Sequence, residues 1–140
     1  MSKRGKRALK EARQARGGGS FLPFTLLPLQ SEQLASLTPY EAKLLFDIMS
    51  QWRLGNNGDQ SAAWALMQKR GWRSKETLGN ALKGLLEKGF IVLTRQGGRN
   101  KCSLYGLGWL AIDQCSDKLD IQPTMSPVTK NWRKYEPLKN

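Results

Sequence analysis

Cationic side chains that can pair with phosphate are concentrated in two parts of this 140-residue chain. Residues 69–101 contain nine Lys or Arg against two Glu, and the first sixteen residues contain seven Lys or Arg against one Glu. The remaining residues hold seven basic and eight acidic groups, so nearly all of the net charge of +12 comes from these two parts. Positive charge gathered in this way is typical of proteins that bind nucleic acid, and it predicts that class of partner.

Three helices are expected to position the central cations. The first begins at Thr38, because residues 38–41 form a capping box with proline at the first helical position, and its apolar residues recur as far as Trp52. The second is predicted over 61–70, and the third over 75–88 with Ser74 as its N-cap. Leucines fall on one side of the third helix, so its other side is left for polar groups.

A β-hairpin is expected after the third helix. Strands are predicted over 90–95 and 103–107, joined by a glycine turn at 97–100. Helix, helix, short glycine-containing turn, helix and hairpin is the order of a winged helix-turn-helix. The fold class expected is therefore α+β, mainly α, with a three-helix core, a β-hairpin wing, and extended N- and C-terminal arms.

The chain divides into three predicted regions. Residues 1–20 form a flexible basic arm that ends in a glycine hinge, residues 21–122 form the winged helix-turn-helix domain, and residues 123–140 form an irregular C-terminal strap. The arm has helix-forming composition but little apolar surface. It is either a disordered, solvated tail or a segment that gains helix or order on a phosphate backbone.

The polar side of the third helix carries the candidate base-reading residues, because the helix after the turn is the one that enters the major groove in such folds. Lys75 can donate to guanine or to phosphate, Asn80 can pair with adenine, and Thr77 can contact a thymine methyl group. Ser74 can cap the helix and bind a phosphate. The alternative is that these polar residues form an ordinary solvated helix face.

The wing, residues 95–101, places cations around a glycine tip that can follow phosphates or enter a narrow minor groove. Its alternative is a plain surface turn that needs glycine. The complete set of candidate DNA-binding residues is Arg70, Arg73, Ser74, Lys75, Thr77, Asn80, Lys83, Arg95, Arg99, Asn100 and Lys101, with Lys3, Arg4, Lys6 and Arg7 in the arm.

The surroundings of two glycines and of the tryptophans in this region can also be predicted. Gly79 and Gly84 each cost roughly 1 kcal/mol inside a helix, which indicates close approach of another backbone, either of DNA or of the wing. Large aromatic side chains mostly pack in cores, so Trp72 and Trp109 are expected there, together with Trp52 and Trp64.

Composition argues against several other classes of protein. The chain has no histidine and only two cysteines, Cys102 and Cys115, so no metal, no cofactor, no small-molecule substrate and no enzymatic activity are expected. The apolar run 21–29 is short and contains two prolines, which argues against a signal peptide or a membrane span. It is expected to run extended across the core or a partner subunit. The expected location is the cytoplasm, in association with the nucleoid.

Several motifs resemble those of a known family. They are GNNGD at 55–59, AAW at 62–64, RGWRS at 70–74, LLEKGFI at 85–91, TRQGGR at 94–99 and LYGLGW at 104–109. The region 21–123 resembles small winged-helix proteins of prophages and mobile elements, which are similar to the DNA-binding domains of plasmid and phage replication initiators. This resemblance implies DNA binding in the control of replication or transcription.

The sequence therefore predicts a sequence-specific protein for double-stranded DNA that controls transcription or replication of a phage or mobile element. Two copies acting as a homodimer are expected, because paired half-sites suit DNA reading by this type of helix. The alternative function is a winged-helix adaptor that binds another protein or RNA, with the basic arm on an acidic surface.

Overall fold

The structure is a computed structural model, and it describes residues 2–130 and Trp132. These residues form an α+β fold that is mainly helical, with a three-stranded antiparallel sheet. The elements in chain order are α1 (Lys3–Ala15), α2 (Leu26–Leu29), α3 (Glu32–Ala35), α4 (Pro39–Met49), β1 (Gln60–Ser61), α5 (Trp64–Lys69), α6 (Lys75–Glu87), β2 (Ile91–Arg95), β3 (Leu104–Leu107) and a 3₁₀ turn at Cys115–Asp117.

Side-chain caps fix the starts of the two main helices. Thr38 Oγ1 accepts from the backbone N–H of Glu41, and the Glu41 carboxylate accepts from the backbone N–H of Thr38, so the predicted capping box is confirmed. The hydroxyl of Ser74 accepts from the backbone N–H of Thr77 at 3.2 Å, which confirms the predicted cap of α6. Helix α4 ends at Met49, one turn before the predicted Trp52.

The sheet has β3 in its centre, between β1 and β2. The pairing of β2 with β3 confirms the predicted hairpin, and its register shifts between Leu93 and Arg95. The predicted start of the second helix at residue 61 is wrong, because Gln60 and Ser61 pair with β3 as a short strand. Helix α5 therefore begins at Trp64.

The core lies between the inner sides of α4 and α6 and one face of the sheet. Leu44, Ile48, Leu85, Phe90 and Leu107 are fully buried in it. Each such side chain contributes roughly 1.5–3 kcal/mol by leaving water. Two of the tryptophans predicted to be core residues, at positions 72 and 109, are buried, and those at 52 and 64 are half-buried against the core.

Segments before and after the central elements pack across the end of the hairpin. The ring of Phe24 stacks on Trp109 with centroids 4.4 Å apart, and Trp109 Nε1 donates to the carbonyl oxygen of Pro23 at 2.8 Å. From the other side, Trp132 lies against Phe90 with centroids 4.8 Å apart. The hydroxyl of Thr129 donates to the carbonyl oxygen of Gly89 at 2.7 Å. The described part of the C-terminal strap thus completes the core.

The conformation of the apolar run 21–29 was predicted less well than that of the C-terminal strap. The run 21–29 is not extended throughout, because Leu26–Leu29 forms a helical turn closed by the N–H of Gln30 on the Leu26 carbonyl oxygen at 2.8 Å. Pro28 sits in the first turn, where its missing N–H breaks no hydrogen bond. The strap is irregular over 123–130, as predicted, whereas positions 131 and 133–140 lie outside the described residues.

Residues Lys3–Ala15 of the N-terminal arm form helix α1. Helix α1 buries none of its residues, and its cap is Ser2, whose hydroxyl accepts from the N–H of Gly5 at 3.1 Å. Arg7 and Glu11 form an ion pair at 2.8 Å along its exposed side. The glycines at 17–19 that follow all have positive φ. No helix in the described part of the chain has the length and apolar character needed to cross a membrane.

Candidate nucleic-acid interface

Helix α6 has one apolar side and one polar side. Leu78, Ala81 and Leu85 are buried against the core. Lys75 and the other predicted polar residues of this helix face solvent, except that Thr77 is half-buried. The predicted division of the helix is confirmed except at Leu86, which is 37% exposed. The polar groups on its outer surface can donate to or accept from base edges. The exposed polar positions of the helix are Lys75, Glu76, Asn80, Lys83 and Glu87.

A buried carboxylate fixes the turn that precedes α6. Asp47 accepts from Lys43 Nζ at 2.8 Å, from Arg70 Nε at 3.0 Å and from the buried indole Nε1 of Trp72 at 2.8 Å. Burial alone raises the pKa of Asp47, but the hydrogen bonds from Lys43, Trp72 and Arg70 outweigh it and hold the pKa below its ordinary range. Arg70, which is predicted to contact DNA, therefore also forms an ion pair with Asp47 of the same chain.

A small cavity of about 160 Å³ opens at the N-terminus of α6. It lies between the start of α4, at Tyr40 and Lys43, and the turn that carries Arg73 and Ser74. Arg73 and Ser74 are exposed, and Thr77 closes the cavity from the first turn of the helix. The N-terminal end of a helix carries partial positive charge, so this surface suits a phosphate.

The wing contains one internal brace and three outward residues. The guanidinium of Arg95 donates twice to the carbonyl oxygen of Cys102, at 3.2 Å from Nε and 2.8 Å from Nη2, so it ties the two strands together. Arg99, Asn100 and Lys101 are exposed at the tip, where Asn100 has a φ of 62°. Of the four wing residues in the predicted set, these three present their side chains to solvent.

The two glycines of α6 have different surroundings. The expectation that another backbone approaches the helix is wrong for Gly84. A Cβ at Gly84 would overlap the carboxylate of Glu41 on α4. That carboxylate accepts from Lys88 Nζ at 2.7 Å, and this bond, with the cap at Thr38, holds the pKa of Glu41 below its ordinary range although burial alone raises it. A Cβ at Gly79, in contrast, would meet none of the described residues outside its own stretch of helix within 4 Å.

The predicted residues fall into two separate groups. The residues of the turn, α6 and the wing belong to consecutive elements of one core. Lys3, Arg4, Lys6 and Arg7 are exposed on α1, which joins that core through the glycine hinge. Within residues 2–130 and Trp132, no cluster of three or more His, Cys, Asp or Glu side chains is arranged to hold a metal ion.

The structure adds residues that the sequence did not single out. Lys43 is one of them and lies beside the turn. Its spacing of four residues from Asp47 could have indicated their ion pair on one side of α4. Arg13, Arg16 and Arg53 line one cleft at the end of α4. The sequence does not predict this group, because Arg53 lies near Arg13 and Arg16 only in the folded chain.

No family model, curated protein or solved structure matches this chain. The resemblance of its motifs to phage and plasmid winged-helix proteins therefore remains an expectation based on those residues alone.

Proposed function

We propose that this chain is a winged helix-turn-helix protein that binds double-stranded DNA sequence-specifically and controls transcription or replication of a phage or mobile element. In this proposal α6 lies in the major groove, and the wing at 95–101 contacts the backbone or the minor groove. The proposed place of action is the cytoplasm, at the nucleoid.

The order and pairing of the elements support the proposed fold. Helix α4, strand β1, helices α5 and α6, and the hairpin of β2 and β3 follow one another as in winged-helix domains, and β3 lies between the other two strands. Five residues separate α5 from α6, and Gly71 among them has a φ of 95°. A short connection containing glycine is typical of a helix-turn-helix.

The observation that carries the proposal is the uncovered polar side of α6. Leu78 and Leu85 face the core, while Lys75, Asn80 and Lys83 face solvent beside the open space at Gly79. A major groove about 12 Å wide accepts one α-helix, and a helix without a side chain at one exposed position can approach it closely. The exposed cations at the turn and the wing tip supply contacts to phosphate.

Selection of bound fragments from genomic DNA tests this proposal. Fragments retained in the presence of heparin should share a motif, and changing Asn80→Ala should relax preference at particular bases by about 1–3 kcal/mol. Lys75→Ala should act in the same way if it reads guanine. Lys118→Ala is the matched control, because Lys118 pairs with Asp59 at 2.9 Å and lies outside α6 and the wing.

One result would change the role assigned to Asn80, and another would contradict the proposal. Equal losses on all sequences for Asn80→Ala would make this residue a backbone contact. Retention of no preferred fragment, together with tight binding to RNA or to a protein partner, would favour the adaptor function instead.

A further inference from the structure

A cleft of about 740 Å³ lies between the hinge after α1 and the C-terminal end of α4. Its volume is within the range of roughly 300–1,000 Å³ that is usual for small-ligand sites. It is built from neither α6 nor the wing. The proposed duplex interface therefore does not account for it.

The charged side chains in the lining of this cleft are all arginines. Arg13 and Arg16 come from α1 and its C-cap, and Arg53 comes from the loop after α4. Among the described lining residues there is no Asp or Glu. Arg53 is held in place by Nη1, which donates to the carbonyl oxygens of Ser50 at 3.2 Å and Trp52 at 2.7 Å. Three guanidinium groups without a carboxylate favour an anion, and their planar donor pattern suits phosphate.

Aromatic rings form part of the same wall. Phe21 is 62% exposed, and the guanidinium carbon of Arg16 lies 4.6 Å from the centroid of its ring. Trp52 also lines the cleft, and its indole Nε1 is buried with no hydrogen-bond partner among the described residues. The wall thus combines flat apolar surface with the guanidinium donors of the arginines. A ligand that carries both a planar ring and acceptor groups fits this combination.

We propose that the cleft binds a nucleotide, with its phosphate on the arginines and its base against Phe21 or Trp52. Cationic grooves with aromatic platforms are the usual means of binding single-stranded nucleic acid, because every base has a face that can stack. The nucleotide belongs either to a single strand or to the free mononucleotide pool, and the two sources share this chemistry. This second site goes beyond the proposed duplex binding by α6 and does not depend on it.

Fluorescence anisotropy with a short labelled oligothymidylate tests the cleft on the full chain. Arg53→Gln should weaken binding about tenfold, as expected for one lost charge-assisted contact. The control Lys118→Gln removes the same charge at a residue outside the lining, α1, α6 and the wing, and should change binding less than about twofold. Arg16→Gln is a second cleft variant in case Arg53→Gln lowers the unfolding midpoint.

A second pair of variants tests the stacking. Phe21→Leu should weaken oligothymidylate binding about fivefold, the lower end of the effect of one base–aromatic contact. Phe46→Leu is the control, because Phe46 is 67% exposed on α4 and does not line the cleft. Competition with thymidine monophosphate distinguishes the sources: displacement at similar concentration indicates a free nucleotide, and failure to displace indicates a strand.

The inference is overturned if Arg53→Gln and Lys118→Gln cost the same, because binding would then follow net charge alone. It is also overturned if Phe21→Leu has no effect, or if an aliphatic carboxylate binds more tightly than the nucleotide. Duplex binding is measured on the same variants. Its retention in Arg53→Gln separates failure of the cleft from failure of the proposed function.

Discussion

Asp47 is the residue that links the turn before α6 to helix α4. Its side chain is 5% exposed and accepts hydrogen bonds from two cations and one indole. Removing one partner from a buried charged group leaves the others unsatisfied. Asp47→Asn should therefore lower the free energy of unfolding at pH 7 by about 2–3 kcal/mol, since the amide keeps one acceptor and adds a donor facing other donors.

The difference in unfolding free energy between the native chain and Asp47→Asn should depend on pH. Because the pKa of Asp47 in the folded chain lies below its unfolded value, the contribution to stability is fully present at neutral pH and is lost as the pH falls through the folded pKa. The difference between the native chain and Asp47→Asn should shrink below about pH 4 in urea unfolding experiments. A difference that stays constant down to pH 2–3, a range well below the usual carboxyl pKa, would contradict the role of the ionised carboxylate.

The partners of single side chains were the least predictable feature at this scale. Composition and position indicated that Arg70 and Arg95 are cationic surface residues. The structure ties Arg70 to Asp47, 23 residues earlier, and Arg95 to the Cys102 carbonyl oxygen across the wing. Such pairs depend on tertiary approach, which no local spacing encodes. The caps at Thr38 and Ser74 were predictable, because their partners lie three residues away.

At the scale of elements, the two glycines of α6 give a matched pair. Alanine usually stabilises a helix interior by roughly 1 kcal/mol over glycine. Gly79→Ala should follow this rule, because its Cβ would meet open space, whereas Gly84→Ala should destabilise the chain by about 1–3 kcal/mol by overlapping Glu41. Thermal unfolding of the two variants measures the opposite signs. Stabilisation by both would show that the Glu41 side chain can move aside without cost.

Helix α1 allows a prediction about salt. Its residues 2–15 carry six cations and bury none of their side chains, so they are available to phosphate. If half of them each neutralise one phosphate, deleting residues 2–15 should reduce the slope of log affinity against log salt by roughly 3, at about 0.9 per contact. The preferred DNA sequence should remain, because α6 is untouched. An arm of unchanged length with glutamine at the six positions controls for length, and an unaltered slope would exclude α1 from the interface.

Element types were predictable where local signals agreed. The capping box of α4, the leucine pattern of α6 and the β-favouring residues of the hairpin strands all produced the expected elements. Strand β1 was missed because its two residues carry helix-compatible neighbours, and its extended form depends on pairing with Leu104 and Tyr105 more than forty residues later. Pro28 likewise tolerates a helical turn that the prolines were expected to prevent.

On the scale of the whole molecule, the order of elements was predictable and the closing of the core was not. Trp109 reaches the Pro23 carbonyl oxygen 86 residues away, and Trp132 covers Phe90. These contacts bring residues 21–31 and 121–130 together around a cavity of about 340 Å³. The two segments contain one charged residue, Lys130, in a chain that is 24% charged. Apart from residues 21–23, which line the arginine cleft, they define a nearly uncharged surface, here named the strap face.

The strap face is where we expect two copies to meet. Two chains that each carry +12 repel one another, so association is least unfavourable where charge is absent and apolar side chains are exposed. Leu26, Leu27, Leu29, Met125 and Val128 provide those side chains. Sedimentation at moderate salt should show a dimer, and Leu26→Glu should convert it to a monomer with a loss of cooperative binding to paired half-sites.

Leu54→Glu is the control, because Leu54 is 93% exposed and lies outside the strap face. A native chain that sediments as a monomer both free and on DNA, or a dimer that Leu54→Glu disrupts as strongly as Leu26→Glu, would place the contact elsewhere or exclude it.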